Sequence, residues 1–205
     1  RLRHLVVPAQ AGTYDHRLCE FALTVFMGPR PARGRREGRS VMLLVLQIVT
    51  ATLVSIAMAL ALAHALELPG KLRLNEQTYR AVQTIYYPGF FLGGLAEPLG
   101  LISLLGLVFL TPRSSAAFWL TLASFVALAA MHGIYWLLTH PVNNFWVEGV
   151  DMSKAAARFF GAHGMDARDG APDWRNLRDQ WEYSHIVRAV LGLASQILLV
   201  TAIAL

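Results

Sequence analysis

Apolar and polar positions fall in long blocks along this chain, not in the short periods of a soluble domain. Four stretches are almost wholly apolar: Met42–Leu66, Phe90–Leu110, Ala116–Leu138 and Ile186–Leu205. At about 1.5 Å of rise per residue, each is long enough to cross a hydrocarbon core of roughly 30 Å. In lipid only helices and closed barrels satisfy their own backbone, and runs of this length predict helices. The expected fold is all-α, an integral membrane four-helix bundle with short extramembrane helices.

The connections between the blocks carry their own signals. Pro69-Gly70 is expected to stop the first span. Asn75 can cap a short helix over Glu76–Tyr87, with Tyr79, Val82 and Tyr86 at one-face spacing. Pro88-Gly89 breaks that helix before the second span. Glu97-Pro98 lies inside the second span, where proline frees the Gly94 carbonyl and predicts a kink. "TPRSS" joins spans two and three tightly and makes them antiparallel neighbours. The third connection is long, with a helical patch around Asp151–Phe160 and a loop, "GAHGMDARDGAP". His140-Pro141 is expected to end the third span, and Asn143 and Asn144 to serve its loop. Asp173 can cap a helix that runs into span four, with Trp174, Leu177 and Trp181 on one face.

Composition sharpens this picture. The chain is 55% hydrophobic and 15% charged, where soluble domains run nearer about 25% charged. A single cysteine, Cys19, excludes an internal disulfide and a multi-thiolate metal site. The net charge of +5 is local, because residues 1–39 hold eight arginines. Such a tail suits anionic lipid, and nothing else in the chain suggests nucleic-acid binding. Residues 1–41 are expected as a disordered basic tail and 42–205 as the membrane domain. The composition break at Met42 also suggests that translation starts there, in which case the tail is not part of the native protein. The first span is too long for a cleavable signal. The expected setting is a bacterial inner membrane, crossed several times. Orientation depends on the tail: with it the basic-residue count puts the N-terminus inside, and without it the topology inverts.

The candidate chemistry lies at one depth. Spans one and three end, and spans two and four begin, at the same membrane face. Glu67 ends span one with His64 a turn inside it. Glu97 lies about 13 Å past Pro88, His132 about 12 Å before His140, and Arg188 about 10 Å past Trp181. Ser55, Ala59, Ala63 and Glu67 step by four and predict a packing face on span one. On span four, Trp181, His185, Arg188, Gly192 and Ser195 form one stripe. It is expected to point into the bundle, because Arg188 facing lipid would cost at least about 2.5 kcal/mol. Glu97 is its expected partner.

Three readings of this cluster stand side by side. The first is a metal site. Glu182-x-x-His185 has the spacing of carboxylate di-iron bundles, and His64, Glu67, Glu97 and His132 could complete it. The second is a pocket for a lipophilic aromatic compound. There His132, His185, Glu97 and Arg188 would handle protons and charge, and Tyr86, Tyr135, Trp136, Asn143 and Trp181 would bind the rings. The third is a polar network that fixes helix register. His163, in the glycine-rich loop, is expected to be solvated. A path conducting ions across the bilayer is disfavoured, because the polar groups occupy only one leaflet.

Two short motifs resemble a known family. "HPVNN", His140–Asn144, is similar to a Pro-x-Asn that follows the third span in the anthrone oxygenase group of small four-span membrane proteins. "WEYSHIVR" is similar to its Trp-x3-His-x2-Arg opening of the last span, with Trp181, His185 and Arg188 in those places. The resemblance implies a helical membrane bundle over about residues 45–205. For some members it also implies oxygenation of a polyketide-type anthrone without an obvious cofactor. "HALELPGKL", His64–Leu72, has no counterpart in that pattern. The expectation is therefore a membrane oxidoreductase acting on a lipophilic aromatic compound, with no cofactor or a His/Glu-bound metal. The alternative is a non-enzymatic membrane subunit whose cluster is structural or binds a partner, a second copy of the chain included.

Overall fold

The computed structural model describes residues 33–146, 151–160 and 173–205. All regular structure among them is helical. Among the described residues four helical stretches are long and apolar enough to cross a membrane: Val41–Lys71, Gly89–Leu110, Ala116–Asn143 and Trp174–Ala204. The chain is a multi-pass, all-α membrane protein.

Helix α1 (Arg33–Lys71) carries the first span. Residues 33–41, expected to lack structure, are helical, in keeping with the good helix propensity of arginine. Residues 1–32, with Cys19, and the loop holding His163 lie outside the described residues, as does the Asn144 side chain. Pro69 does not stop α1. The helix runs two residues further, losing only the bond that the proline nitrogen cannot donate. The buried face of α1 is Thr50, Val54, Ala57, Ala61, His64 and Lys71. It is rotated from the expected small-residue face, and Ala59 is exposed. Small residues lie on both sides of this helix, so size alone could not choose the face.

Asn75 caps α2 (Glu76–Gln83) by accepting from the Thr78 N–H at 2.9 Å. A 3-10 turn, Thr84–Tyr86, follows. The inward residues are Tyr79, Gln83 and Tyr86, so Gln83 takes the place expected of Val82. The second span is broken in two, α3 (Gly89–Gly94) and α4 (Ala96–Leu110), one turn ahead of Pro98. That is the expected proline effect.

The third span is α5 (Ala116–Ile134), a π-helical turn (Tyr135–Thr139) and α6 (His140–Trp146). His140-Pro141 therefore does not end the helix. Pro141 sits in the first turn of α6, and the His140 N–H reaches back five residues to the Tyr135 carbonyl. The wider turn absorbs the missing proline donor, and the exposed Gln180 amide donates to the Leu138 carbonyl at 3.0 Å. Helix α7 (Lys154–Phe160) lies in the third connection. Asp173 caps α8 (Trp174–Ala204), accepting from the Arg175 N–H.

The core has two layers. Within the spans, Val54, Ala57 and Ala61 of α1 meet Leu104 and Leu107 of α4, Leu128 and Met131 of α5, and Ala189 and Leu199 of α8. Ser124 and Ser195 clasp α5 to α8, each hydroxyl donating to the other residue's carbonyl at 2.9 Å. At one end of the bundle, Tyr79, Tyr86, Val142, Trp146, Leu177 and Trp181 form a mainly aromatic cap. Large apolar side chains such as Ile102, Phe109, Trp119 and Leu137 point outward, as a bundle in lipid requires.

Candidate functional site

Between the two layers lies a cavity of about 740 Å³, counted with its open mouth. Its aromatic wall is Tyr86, Tyr87, Phe90, Tyr135, Trp146, Phe159 and Trp181, and its polar wall includes Glu97, His185 and Arg188. The lining, rich in aromatic rings beside a few polar groups, is of the kind that holds flat aromatic compounds.

The α8 stripe faces inward as expected, and it anchors the floor. Arg188 Nη2 donates to Glu97 Oε2 at 2.7 Å. The other carboxylate oxygen, Oε1, lies 3.0 Å from His132 Nδ1. The indole N–H of Trp136 reaches His132 Nε2 at 3.0 Å. An indole only donates, so Nε2 accepts and Nδ1 carries the proton that goes to Glu97. His132 and Trp136 are thus behind Glu97 and not in the cavity wall. Trp136, expected to bind rings, is half exposed toward lipid. The π turn explains this: it turns Tyr135 and Thr139 inward and leaves Trp136–Leu138 outside. Tyr135 stays in the wall, its hydroxyl donating to the Phe159 carbonyl and its ring 5.1 Å from the Arg188 guanidinium.

His185 lies one turn above Arg188. Its Nδ1 is 2.8 Å from the Trp181 carbonyl. A carbonyl only accepts, so Nδ1 bears the proton and Nε2 keeps its lone pair. His64 of α1 packs against it with ring centroids 4.2 Å apart, and is boxed by Tyr86, Phe90 and Trp181 at 4.5, 4.7 and 4.8 Å.

The proposed metal ligands do not assemble. Among the described residues no three His, Cys, Asp or Glu side chains are placed to hold a metal ion. The reason is a residue that the sequence reading left outside the helix. Lys71, 3% exposed, puts its ammonium 2.8 Å from Glu67 and 3.5 Å from Glu182. It lies over the Tyr86 and Trp181 rings at 4.9 and 4.8 Å. The Glu67 contact is an ion pair without hydrogen-bond alignment. The cation between these carboxylates is the chain's own. Glu182 is fully buried and accepts from the Tyr79 hydroxyl at 2.8 Å. Glu67, half-exposed, accepts from the Tyr86 hydroxyl. Burial and the neighbouring Glu182 push the Tyr79 phenol above its ordinary value of 10.0. Burial and the hydrogen bond to Glu67 do the same to Tyr86.

The two motifs meet at the cavity. Asn143 of "HPVNN" accepts from the Trp181 indole of "WEYSHIVR" at 2.6 Å. The sequence model of the Anthrone oxygenase family matches residues 83–198, more than half of the chain. The chain belongs to the anthrone oxygenase family. The anthrone oxygenase match starts at Gln83, so His64, Glu67, Lys71 and Tyr79 reach the site from outside the matched region. No curated protein and no solved structure matches the chain.

Proposed function

We propose that this membrane protein is an oxygenase that takes a lipophilic aromatic compound of the anthrone kind into the cavity. The observation that carries the reading is one cavity with seven aromatic residues, the paired Glu97–Arg188, and His185 in its walls. The reaction fitting that class breaks two C–H bonds of a methylene flanked by rings. One atom of dioxygen becomes its carbonyl oxygen and the other leaves as water. His185 Nε2 accepts the first proton, because the Trp181 carbonyl fixes its other nitrogen as the donor. Arg188, held by Glu97, faces the oxygen on which negative charge gathers as that proton leaves. His132 acts through Glu97 as a positioning residue.

The experiment is oxygen uptake and quinone absorbance with anthrone and the protein in lipid nanodiscs, beside His185→Gln. A rate above protein-free nanodiscs that falls at least about a hundredfold in the variant supports the reading. Equal rates in both remove His185 from the chemistry, and no rate or binding at all removes the enzyme. A second reading, a structural network in a non-enzymatic subunit, is favoured by the full pairing of Glu97. It predicts lost stability in every cluster variant and no bound aromatic compound.

A further inference from the structure

Buried polar atoms are almost always partnered, so an unpartnered one in a cavity wall is a request for a ligand atom. Among the described residues, buried atoms without a hydrogen-bond partner include Trp146 Nε1, Gln83 Nε2 and Arg188 Nε. All three residues line the same cavity. An indole and a guanidinium nitrogen can only donate, and an amide nitrogen does likewise. Residues of the wall therefore carry donors that nothing in the protein accepts, each almost fully enclosed in the empty protein.

These donors lie at two levels. Arg188 sits seven residues beyond Trp181 along α8, about 10 Å deeper. Trp146 and Gln83 belong to the cap, where Asn143, one turn before Trp146, is bonded to Trp181. Gln83 is 2% exposed and Trp146 is 4% exposed, so water reaches neither freely. Their surroundings are aromatic: the Trp146 ring packs edge-on against Tyr79 at 4.8 Å. Nothing about packing Tyr79, Tyr86 and Trp181 requires an amide at position 83, since a leucine would fill the same volume.

We propose that Gln83 and Trp146 form an acceptor-binding subsite at the cap end of the cavity. It is separate from the Glu97–Arg188 floor and selects aromatic compounds carrying a carbonyl, phenolate or carboxylate oxygen at the end remote from Arg188. The proposal rests on the reading of the cavity as an aromatic-binding site, and adds that the ligand is oxygenated at both ends. An oxygen there supplies the acceptor that both donors lack. A hydrocarbon of the same shape leaves them stranded.

The test compares anthracene, which has no oxygen, with anthraquinone-2-carboxylate, which has two carbonyl oxygens on its central ring and a carboxylate at one end. Binding to wild type, Gln83→Leu and Trp146→Phe is measured in lipid nanodiscs, with thermal melting of each empty protein. Wild type is expected to prefer the carboxylate. Each variant should weaken carboxylate binding about five- to tenfold and leave anthracene unchanged. Empty Gln83→Leu should melt no lower than wild type, because an unsatisfied donor has been exchanged for an apolar group of its size. Equal affinity of the two probes for wild type overturns the subsite. So does an equal shift for both probes in the variants, or a lower melting point of empty Gln83→Leu without a change in preference. If neither probe binds wild type, the aromatic-site reading itself falls and takes the subsite with it.

Discussion

Arg188 and Glu97 are 91 residues apart in the chain and 2.7 Å apart in the fold. Each lies inside a membrane span, and each removes the other's need for water. Arg188→Glu alone sets two carboxylates face to face and should abolish accumulation of folded protein. The exchange Glu97→Arg/Arg188→Glu restores opposite charges and should recover part of it. Recovery is incomplete because His132 Nδ1 then meets an arginine. Fluorescence-detected gel filtration of both variants decides it, and a double variant as poor as the single one counts against the pair.

Lys71 is the buried cation of the second network. Lys71→Met leaves the fully buried Glu182 without its counter-charge. Breaking a buried pair from one side costs about 3–5 kcal/mol. Adding Glu182→Gln should return most of that loss. Denaturation in mixed micelles measures both, and additive losses in the double variant would disprove the coupling.

At Gly192, α8 comes close to the backbone of α1. A Cβ there would stand 3.2 Å from Met58 Cα and 3.1 Å from Met131 Sδ. The backbone atom cannot step aside, so Gly192→Ala should destabilise the bundle by about 1–3 kcal/mol. Gly133→Ala is the control: a Cβ at that helical position meets nothing within 4 Å. Its melting temperature should stay level or rise.

Tyr79 and Tyr86 link alkaline pH to folding. Both phenols are pushed above the ordinary 10.0 in the folded protein. Their contribution is complete below that value and is lost as pH rises beyond it, since the unfolded chain gives up these protons first. Melting temperature should therefore fall between pH 9 and 11, and fall less in Tyr86→Phe. At pH 11 the tyrosinate absorbance of folded protein should account for fewer than the six tyrosines in the chain. Six ionising together near pH 10 would show that neither phenol is protected.

What could be read from the sequence was whatever rested on a scarce signal. Glu97 is the only carboxylate at the depth of Arg188, so their pairing followed from elimination. Asn75 and Asp173 precede apolar periods and cap as expected. Proline misled in two places. Pro69 suggested a helix end, which hid Lys71, yet the helix continues and sets Lys71 one turn beyond Glu67. Pro141 suggested another end, but the π turn carried the chain through it and swung Trp136 outward. The apolar residues of α2 alone point to Val82, although the inward position is Gln83. Spacing of four and seven from Tyr79 leads through Gln83 to Tyr86, and that signal was available.

For the aromatic substrate proposed above, the cavity's position alters what a concentration means. Ala57, Leu60, Glu97 and Arg188 belong to spans, so much of the chamber lies at the depth of one leaflet. A flat aromatic compound dissolves into that leaflet before it meets the protein, gaining about 25 cal/mol for each Å² of apolar surface withdrawn from water. On the proposed function the protein samples moles of compound per mole of lipid, in two dimensions. Doubling the nanodiscs or vesicles at fixed total substrate dilutes it, even though the volume of buffer is the same. Saturation curves taken at different lipid contents should superimpose only when plotted against that surface density.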